Sequence, residues 1–401
     1  MNIRRIINTV YYVGVNDRTT TRFEGLWPLP YGVSYNSYVV AADKVALIDT
    51  VLVGTVNDYI RNIKSVCGDK KIDYLVINHM EPDHSGSVPE ILALNPGMKI
   101  VGNKQTISMV KGFYHIESDD CFLEVKDGDT LDLGGRTLKF FLTPMVHWPE
   151  TMMTYLEEER TLFSGDAFGT FGALNGGVID RDLDTEVYIR EMYRYYSNIV
   201  GKYGKFVQNA LKKVSGLEIE YICPTHGPVW NQEIAEVSRI VDTLSSYRSE
   251  PGATIIYGSM YGNTAEVAEL LAAELSVRGM RNIKVHNASF SEMSDMISDA
   301  FRYEVLVVGC PTYSMTLFPP VEQFMKAMQT RTVTGKVFAS FGSYTWAPVV
   351  NERIKEYADS LKLEVVGTVQ IKQSPDASTP EAVAALAERI VNAVEARAGK
   401  E

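Results

Sequence analysis

Cysteine is scarce in this chain. Four residues among 401, Cys67, Cys121, Cys223 and Cys310, stand far apart with no C-x-x-C pair. That excludes a disulfide framework and a cysteine-ligated zinc or iron site, and it leaves four reduced thiols with no assigned task. Long apolar runs are missing as well: no stretch approaches the roughly 18 residues of a membrane span. The opening Met1-Asn2-Ile3-Arg4-Arg5-Ile6-Ile7 has neither a continuous apolar core nor a small-residue cleavage site, so a soluble cytoplasmic protein is expected. Positive charge is in deficit, with 39 Lys+Arg against 50 Asp+Glu and a net charge of -11. Bulk attraction to nucleic acid or to an anionic membrane is thereby disfavoured, which leaves room for a local basic patch.

What remains is ordinary globular material: 45% hydrophobic and 22% charged residues, enough for more than one core. At roughly 100–200 residues per domain the length predicts two domains. Up to about Tyr221 the chain carries short β-like runs, among them Tyr38-Val39-Val40, Val45–Ile48, Tyr74–Ile77, Leu138–Phe141 and Thr161–Phe163, separated by turns such as Asp127-Gly128-Asp129 and Gly134-Gly135. The polar stretch from Ser245 to Pro251-Gly252 breaks the pattern and places a linker there, dividing the chain into 1–249 and 250–401. Beyond it strand and helix alternate: strands Thr254–Tyr257, Ile283–His286, Glu304–Val308, Lys336–Phe341 and Leu363–Val369, with helices starting at Thr264, Val321, Pro348 and Pro380. Five strands with crossovers specify a doubly wound parallel sheet.

Histidine is rare too, and its distribution is informative. Directly after the apolar run Tyr74–Ile77 comes Asn78-His79-Met80-Glu81-Pro82-Asp83-His84-Ser85-Gly86. Side chains at 79, 81 and 83 share one side of an extended segment, and His84 follows where Gly86 permits a turn, so four nitrogen and oxygen donors can converge. Without a cation such a cluster would bury uncompensated charge. Three further strand-end segments can complete it: Val146-His147-Trp148, Ser164-Gly165-Asp166 and Pro224-Thr225-His226-Gly227. Trp148 suits shielding of that site or contact with a flavin, with plain packing an equal alternative. His115 and His286 lack a local acidic motif and read as structural.

His79-x-Glu81-x-Asp83-His84, His147, Asp166 and Thr225-His226-Gly227 resemble the metallo-β-lactamase superfamily, whose αββα sandwich binds two metals. The zinc hydrolases of that superfamily carry a third histidine where this chain has Glu81. Carboxylate in place of imidazole makes the site richer in oxygen and more anionic, which suits iron better than zinc. In this respect the chain is similar to flavodiiron proteins. The resemblance implies His79, Glu81 and His147 on one non-haem iron, Asp83, His84 and His226 on the other, and Asp166 bridging the two.

In the second half the strand Thr254–Tyr257 runs into Gly258-Ser259-Met260-Tyr261-Gly262-Asn263-Thr264 and then a helix. Small and hydroxylated residues there leave backbone N–H groups free to face a phosphate at a positive helix end. The loop has no Lys, no Arg and no Walker A spacing, which argues against an ATPase. Pro311-Thr312-Tyr313-Ser314 and Gly342-Ser343-Tyr344-Thr345-Trp346 follow two later strands and should emerge at the same sheet edge, where aromatics can bracket a planar ring. This half resembles flavodoxin, with FMN as the implied ligand.

The combined resemblance covers nearly the whole chain. It implies an oxidoreductase that reduces dioxygen to water, nitric oxide to nitrous oxide, or both, within a head-to-tail homodimer. A reduced iron pair and a reduced flavin hold two electrons each, the four that dioxygen requires. No rubredoxin-like extension follows, so electrons are expected from a separate donor such as rubredoxin or a reduced deazaflavin. Lys336 and Arg331 are candidates for a basic patch facing that donor, a solvated surface role being the ordinary alternative. Two rivals stand beside this reading: a zinc hydrolase with an appended flavodoxin module, and an electron carrier whose first domain holds metal only structurally.

Overall fold

The computed structural model describes residues 3–399, and the chain divides after Ser245 into two compact units. The first unit is built on two sheets. One has seven strands in the order Arg4–Ile7, Val10–Tyr12, Tyr38–Ala41, Val45–Ile48, Tyr74–Val76, Lys99–Gly102 and Phe122–Glu124. Its first four strands are antiparallel and the rest parallel. The other runs Thr130–Asp132, Thr137–Leu142, Met152–Leu156, Thr161–Gly165, Tyr221–Pro224, with a parallel pair at its end. Val45–Ile48 and Thr161–Gly165 are buried at every position, as strands covered on both faces must be.

Apolar residues of both sheets feed one core, in which Tyr38 of the first meets Phe163 of the second with ring centroids 5.4 Å apart. Amphipathic helices cover the outer faces: Val56–Cys67 and Lys104–Tyr114 lie on the seven-stranded sheet and Gly204–Val214 on the five-stranded one. This is the αββα sandwich the sequence predicts. Parallel pairing sets Ile48 beside Val76 and Gly165 beside Pro224. Within each sheet the paired strands therefore release their following loops at a common edge.

The second unit is one parallel sheet in which the strand Ile283–Asn287 flanks Glu250–Tyr257, followed by Tyr303–Pro311, Val337–Tyr344 and Glu364–Lys372. All five expected strands are present. A crossover helix the sequence reading did not specify, Met293–Arg302, lies between Ile283–Asn287 and Tyr303–Pro311. Its Ser and Asp residues disguise an apolar face made by Met296, Ile297, Ala300 and Phe301. The first strand begins at Glu250 and takes in the Pro251-Gly252 pair assigned to the linker; an irregular register there accommodates both. Gly252 is required by closeness, since a Cβ would come within 2.5 Å of the Tyr303 ring.

One surface reading needs correction. Lys336 is 2% exposed, and its ammonium donates to Ser249 Oγ (2.6 Å) and to the carbonyls of Phe301 (2.6 Å) and Tyr303 (2.9 Å). It ties the start of the sheet together and is neither solvated nor available to a donor. His286, read as structural, pairs with Asp299 at 2.7 Å on the helix Met293–Arg302, a partner 13 residues away that no local motif announces. Among the described residues no helix is long and apolar enough to cross a membrane.

Candidate functional site

The loop after Tyr74–Val76 is shaped by a buried acid that the sequence reading missed. Asp49 accepts from the backbone N–H of Asn78 (2.7 Å) and His79 (3.3 Å) and from the Asn78 side chain (3.1 Å). Burial pushes its carboxyl up to about 6 against the pull of His84 and these donors. The chain then forms a single helical turn, Pro82–Ser85, with Glu81 at its start. Asp83 and His84 are thus carried on a turn and not on a continued extended segment. Gly86 has φ -60, so the turn needs no left-handed residue; a Cβ there would lie 2.4 Å from the Pro82 carbonyl oxygen.

Seven side chains converge into two groups, His79, Glu81, His147 with Asp166, and Asp83, His84 with His226. In the first, His79 Nε2 and His147 Nε2 each lie 3.2 Å from Glu81 Oε2, and 3.5 and 3.1 Å from Asp166 Oδ2. In the second, His84 Nε2 and His226 Nε2 each lie 3.3 Å from Asp83 Oδ2, and 3.1 and 3.8 Å from Asp166 Oδ1. One oxygen of Asp166 therefore faces each group. Donors around one ion bound at about 2.0–2.2 Å stand roughly 3.0–3.5 Å apart, which matches most of these separations.

Hydrogen bonding supports the same use. The buried Asp83 carboxylate and the Nε2 atoms of His84 and His226 have no hydrogen-bond partner, a costly arrangement unless a cation is bound. His226 Nδ1 lies 2.8 Å from the Ser34 carbonyl, which can only accept, so Nδ1 carries the proton and Nε2 presents its lone pair. Glu150 Oε1 does the same for His79 Nδ1 at 2.8 Å and also accepts from Met80 N–H. Burial opposes protonation of His84 and His147, yet the surrounding carboxylates win and push both up to about 9; His79 is raised as well. Burial would raise Asp166 and Glu81, but the histidines hold both carboxyls well below their usual range. In the metal-free protein these opposite charges offset one another, and a bound cation would take the place of the histidine protons.

Trp148 lies edge-on to His79 at 5.4 Å and stacks on Phe113 at 6.5 Å, forming an aromatic cover over the first group. His115 ends the helix Lys104–Tyr114 in a left-handed conformation and is not drawn into the cluster.

In the second unit a cleft is lined by Ser259, Met260, Tyr261, Asn263, Thr264, Pro311, Thr312, Ser343, Tyr344 and Trp346, all expected from the sequence. Four expected residues do not line it. Gly262, at φ 99, shapes the loop from behind and donates its N–H to Ser259 Oγ at 3.1 Å. Tyr313 and Ser314 form a tight turn closed between Tyr313 and Thr316. Gly342 is a packing glycine, since a Cβ there would meet the Asn351 side chain at 2.8 Å. Thr345, within the third expected loop, lines the cleft as well, and Ala347 and Gln373 line it unannounced. Gln373 follows the fifth strand, whose end reaches the same edge as the other loops, and that logic would have found it. The helix Asn263–Val277 starts at the cleft, so its first N–H groups and two hydroxyls suit a phosphate, and Tyr344 and Trp346 suit a ring.

Two family models match the chain, the "ODP family beta lactamase" over residues 33–227 and "Flavodoxin" over 255–385. An anaerobic nitric oxide reductase flavorubredoxin of Pectobacterium carotovorum is 30% identical across 93% of this chain and 75% of its own length. An uncharacterized protein of Methanocaldococcus jannaschii is 33% identical over 91% of both chains. Among solved structures, the rubredoxin oxygen:oxidoreductase of Desulfovibrio gigas superposes with TM-score 0.93 at 27% identity, covering 98% of this chain and 99% of its own. The Giardia intestinalis flavodiiron protein gives 0.92 at 26%, covering 98% and 97%. A buried two-group ligand set on a lactamase-like sandwich, joined to a flavodoxin-like sheet, defines the class of metal- and flavin-dependent oxidoreductases. Within that class the chain belongs to the flavodiiron family.

Proposed function

We propose that this enzyme reduces dioxygen to water, nitric oxide to nitrous oxide, or both, using electrons passed through FMN to two non-haem irons. The observation that carries the reading is the split of Asp166, one carboxylate oxygen toward each ligand group. His79, Glu81 and His147 would hold one iron, Asp83, His84 and His226 the other, with Asp166 between them. When bound, the irons and FMN supply the electrons, and the irons act as Lewis acids toward the reduced gas.

The protein's own residues position and shield. Glu150 and the Ser34 carbonyl fix the tautomers of His79 and His226, so their donor atoms are set before metal arrives. Thr225 donates its hydroxyl to Asp166 Oδ1, orienting the bridging group. Trp148 and Phe113 cover the His79 side of the first group. Glu81, Asp83 and His147 are the ligands with side-chain exposure of 7–12%, so protons enter from their side. Glu81 also disfavours the zinc-hydrolase reading, because a hard carboxylate stands where that chemistry uses imidazole.

The working unit in this proposal is a head-to-tail homodimer in the cytoplasm, fed by a separate donor such as rubredoxin or a reduced deazaflavin. Mixing an Asp166→Ala chain with a Ser259→Glu chain should restore part of the activity in mixed dimers. The central experiment is anaerobic reduction followed by exposure to each gas separately, with metal and flavin measured on the same sample. Catalytic consumption of either gas by protein holding two irons and one FMN per chain is expected. Zinc-loaded protein that hydrolyses lactams or thioesters and consumes neither gas would overturn the reading.

A further inference from the structure

Beside the helix Val56–Cys67 the first unit has a cleft that neither the metal nor the flavin reading uses. Its free volume is about 320 Å³, within the range of sites that take small molecules. The apolar wall is made by Ile60 and Ile63 of that helix, by Ile72, and by Ile91 and Leu94 of the helix Val88–Leu94. Ile63, Ile72 and Ile91 are buried and Leu94 is half exposed. Asn95 ties the wall together: its Oδ1 accepts from the Ile72 N–H at 3.1 Å and its Nδ2 donates to the Ile91 carbonyl at 2.8 Å. Ile72 leads into the strand Tyr74–Val76 at the end opposite the one from which the His79 loop leaves, so the cleft is separate from the ligand groups.

The rim is basic in an otherwise acidic protein. Lys64, Lys70 and Lys71 stand there against one carboxylate, Asp69, and all four are exposed. Arg61 takes up Asp58, while the three lysines form no ion pair among the described residues. Burial raises the Cys67 thiol, which lines the cleft, and the nearby Lys70 ammonium pulls it back. That charge therefore reaches the apolar wall. The end of the helix does not oppose an anion with free carbonyls, since that of Lys64 accepts from the Gly68 N–H at 2.8 Å and that of Cys67 from the Lys70 N–H at 3.1 Å.

We propose that this cleft binds a single-chain aliphatic carboxylate, with its tail on the isoleucines and its head at the three lysines. At roughly the 30 Å³ that a water takes up in the liquid, the space holds about ten groups of methylene size. One chain fits and a second does not, which excludes a two-chain lipid. Burial of the tail supplies the attraction, and the lysines select the sign of the head. The inference stands apart from the gas-reductase reading.

The probe is decanoate, titrated calorimetrically into the metal-loaded full-length protein below the concentration at which it forms micelles. One molecule should bind per chain, and affinity should rise by about two- to fourfold per methylene from hexanoate to decanoate. Decyltrimethylammonium, with a tail of the same length and the opposite charge, should bind about 10-fold more weakly or less. Bound decanoate should slow alkylation of Cys67 by iodoacetamide, read on its own peptide by mass spectrometry, while Cys121, outside the cleft, keeps its rate. The Lys70→Glu, Lys71→Glu double variant should lose about 10-fold in affinity. Leu94→Ser, at a half-exposed position, should weaken binding through the tail and leave the preference for the anion. Equal binding of the two decyl probes overturns the proposal. So does decanoate that protects both cysteines alike or neither, or an affinity that the lysine reversal leaves at the wild-type value.

Discussion

The residues proposed to hold the metals lie in the interior of the first unit, with His79, His84 and His226 fully buried, whereas the cleft proposed for FMN is edged by side chains facing water, Tyr261 at 91% and Trp346 at 81% exposure. The two places hold their cofactors by different physics. In the first, formal charges face each other at 3.1–3.8 Å, and acceptors such as Glu150 and Ser34 fix the histidine tautomers. In the second, neutral hydroxyls and the N–H groups at a helix start present fixed dipoles on loops. A buried charged site must be nearly complete before its ligand arrives, because every unpaired group is costly. An exposed neutral site can remain open, since water satisfies its donors meanwhile.

The largest expected effect breaks the first half of that contrast. Asp166→Ala should remove the shared ligand of both groups and lower gas-consuming activity by about 100-fold or more, with both irons lost on metal analysis and FMN retained. Glu81→His should instead keep two metals but shift the bound ion toward zinc. The counterpart in the second unit is Ser259→Glu, which sets a carboxylate against the phosphate. FMN affinity should fall by about 10–100-fold, read by fluorescence titration, while iron content is unchanged.

Glu150→Ala sharpens the claim that the metal site is preset. It removes no ligand, yet freeing the His79 tautomer should weaken metal binding by about 10–100-fold in a competition titration, with Glu150→Gln in between. Ligand affinity that ignores Glu150 would mean that the burial of the site, and not its hydrogen bonding, sets the geometry.

The smallest effect concerns pH, where the two units should move in opposite directions. In metal-free protein the folded state holds the protons of His84 and His147 up to about 9, against about 6.5 unfolded. Their contribution is complete below pH 6.5 and is lost as pH rises through 9. Lys336 is the reverse case: burial lowers its ammonium to about 7, so the unfolded chain binds that proton more tightly. The second unit should then gain stability from about pH 7 to 10. Hydrogen exchange resolved by unit would show protection falling in one and rising in the other. Iron loading should abolish the alkaline loss in the first unit, since the cation replaces the protons.

Much of this molecule is legible along the chain. The His79-x-Glu81-x-Asp83-His84 spacing, with His147, Asp166 and His226 each past an apolar strand, marks the side chains that the fold brings together, and the alternation after Glu250 marks the parallel sheet. Local pattern suffices there because a ligand next to a strand end is positioned by that strand. Glu150 and Asp49 escaped because an acid that orients a histidine from another loop carries no spacing signature, although Glu150 stands three residues past His147. Lys336 was misread because the carbonyls of Phe301 and Tyr303 that receive its ammonium arrive from elsewhere in the sequence.

Which residues gather into the buried cluster and the cleft was thus largely determined by the sequence itself, because their chemistry and their strand-end positions are local properties. Tertiary structure alone decided which oxygen of Asp166 faces which histidines, and which glycines serve packing and which serve the loop. Those relations depend on distances between segments far apart in the chain, and no periodicity or spacing encodes a distance across a core.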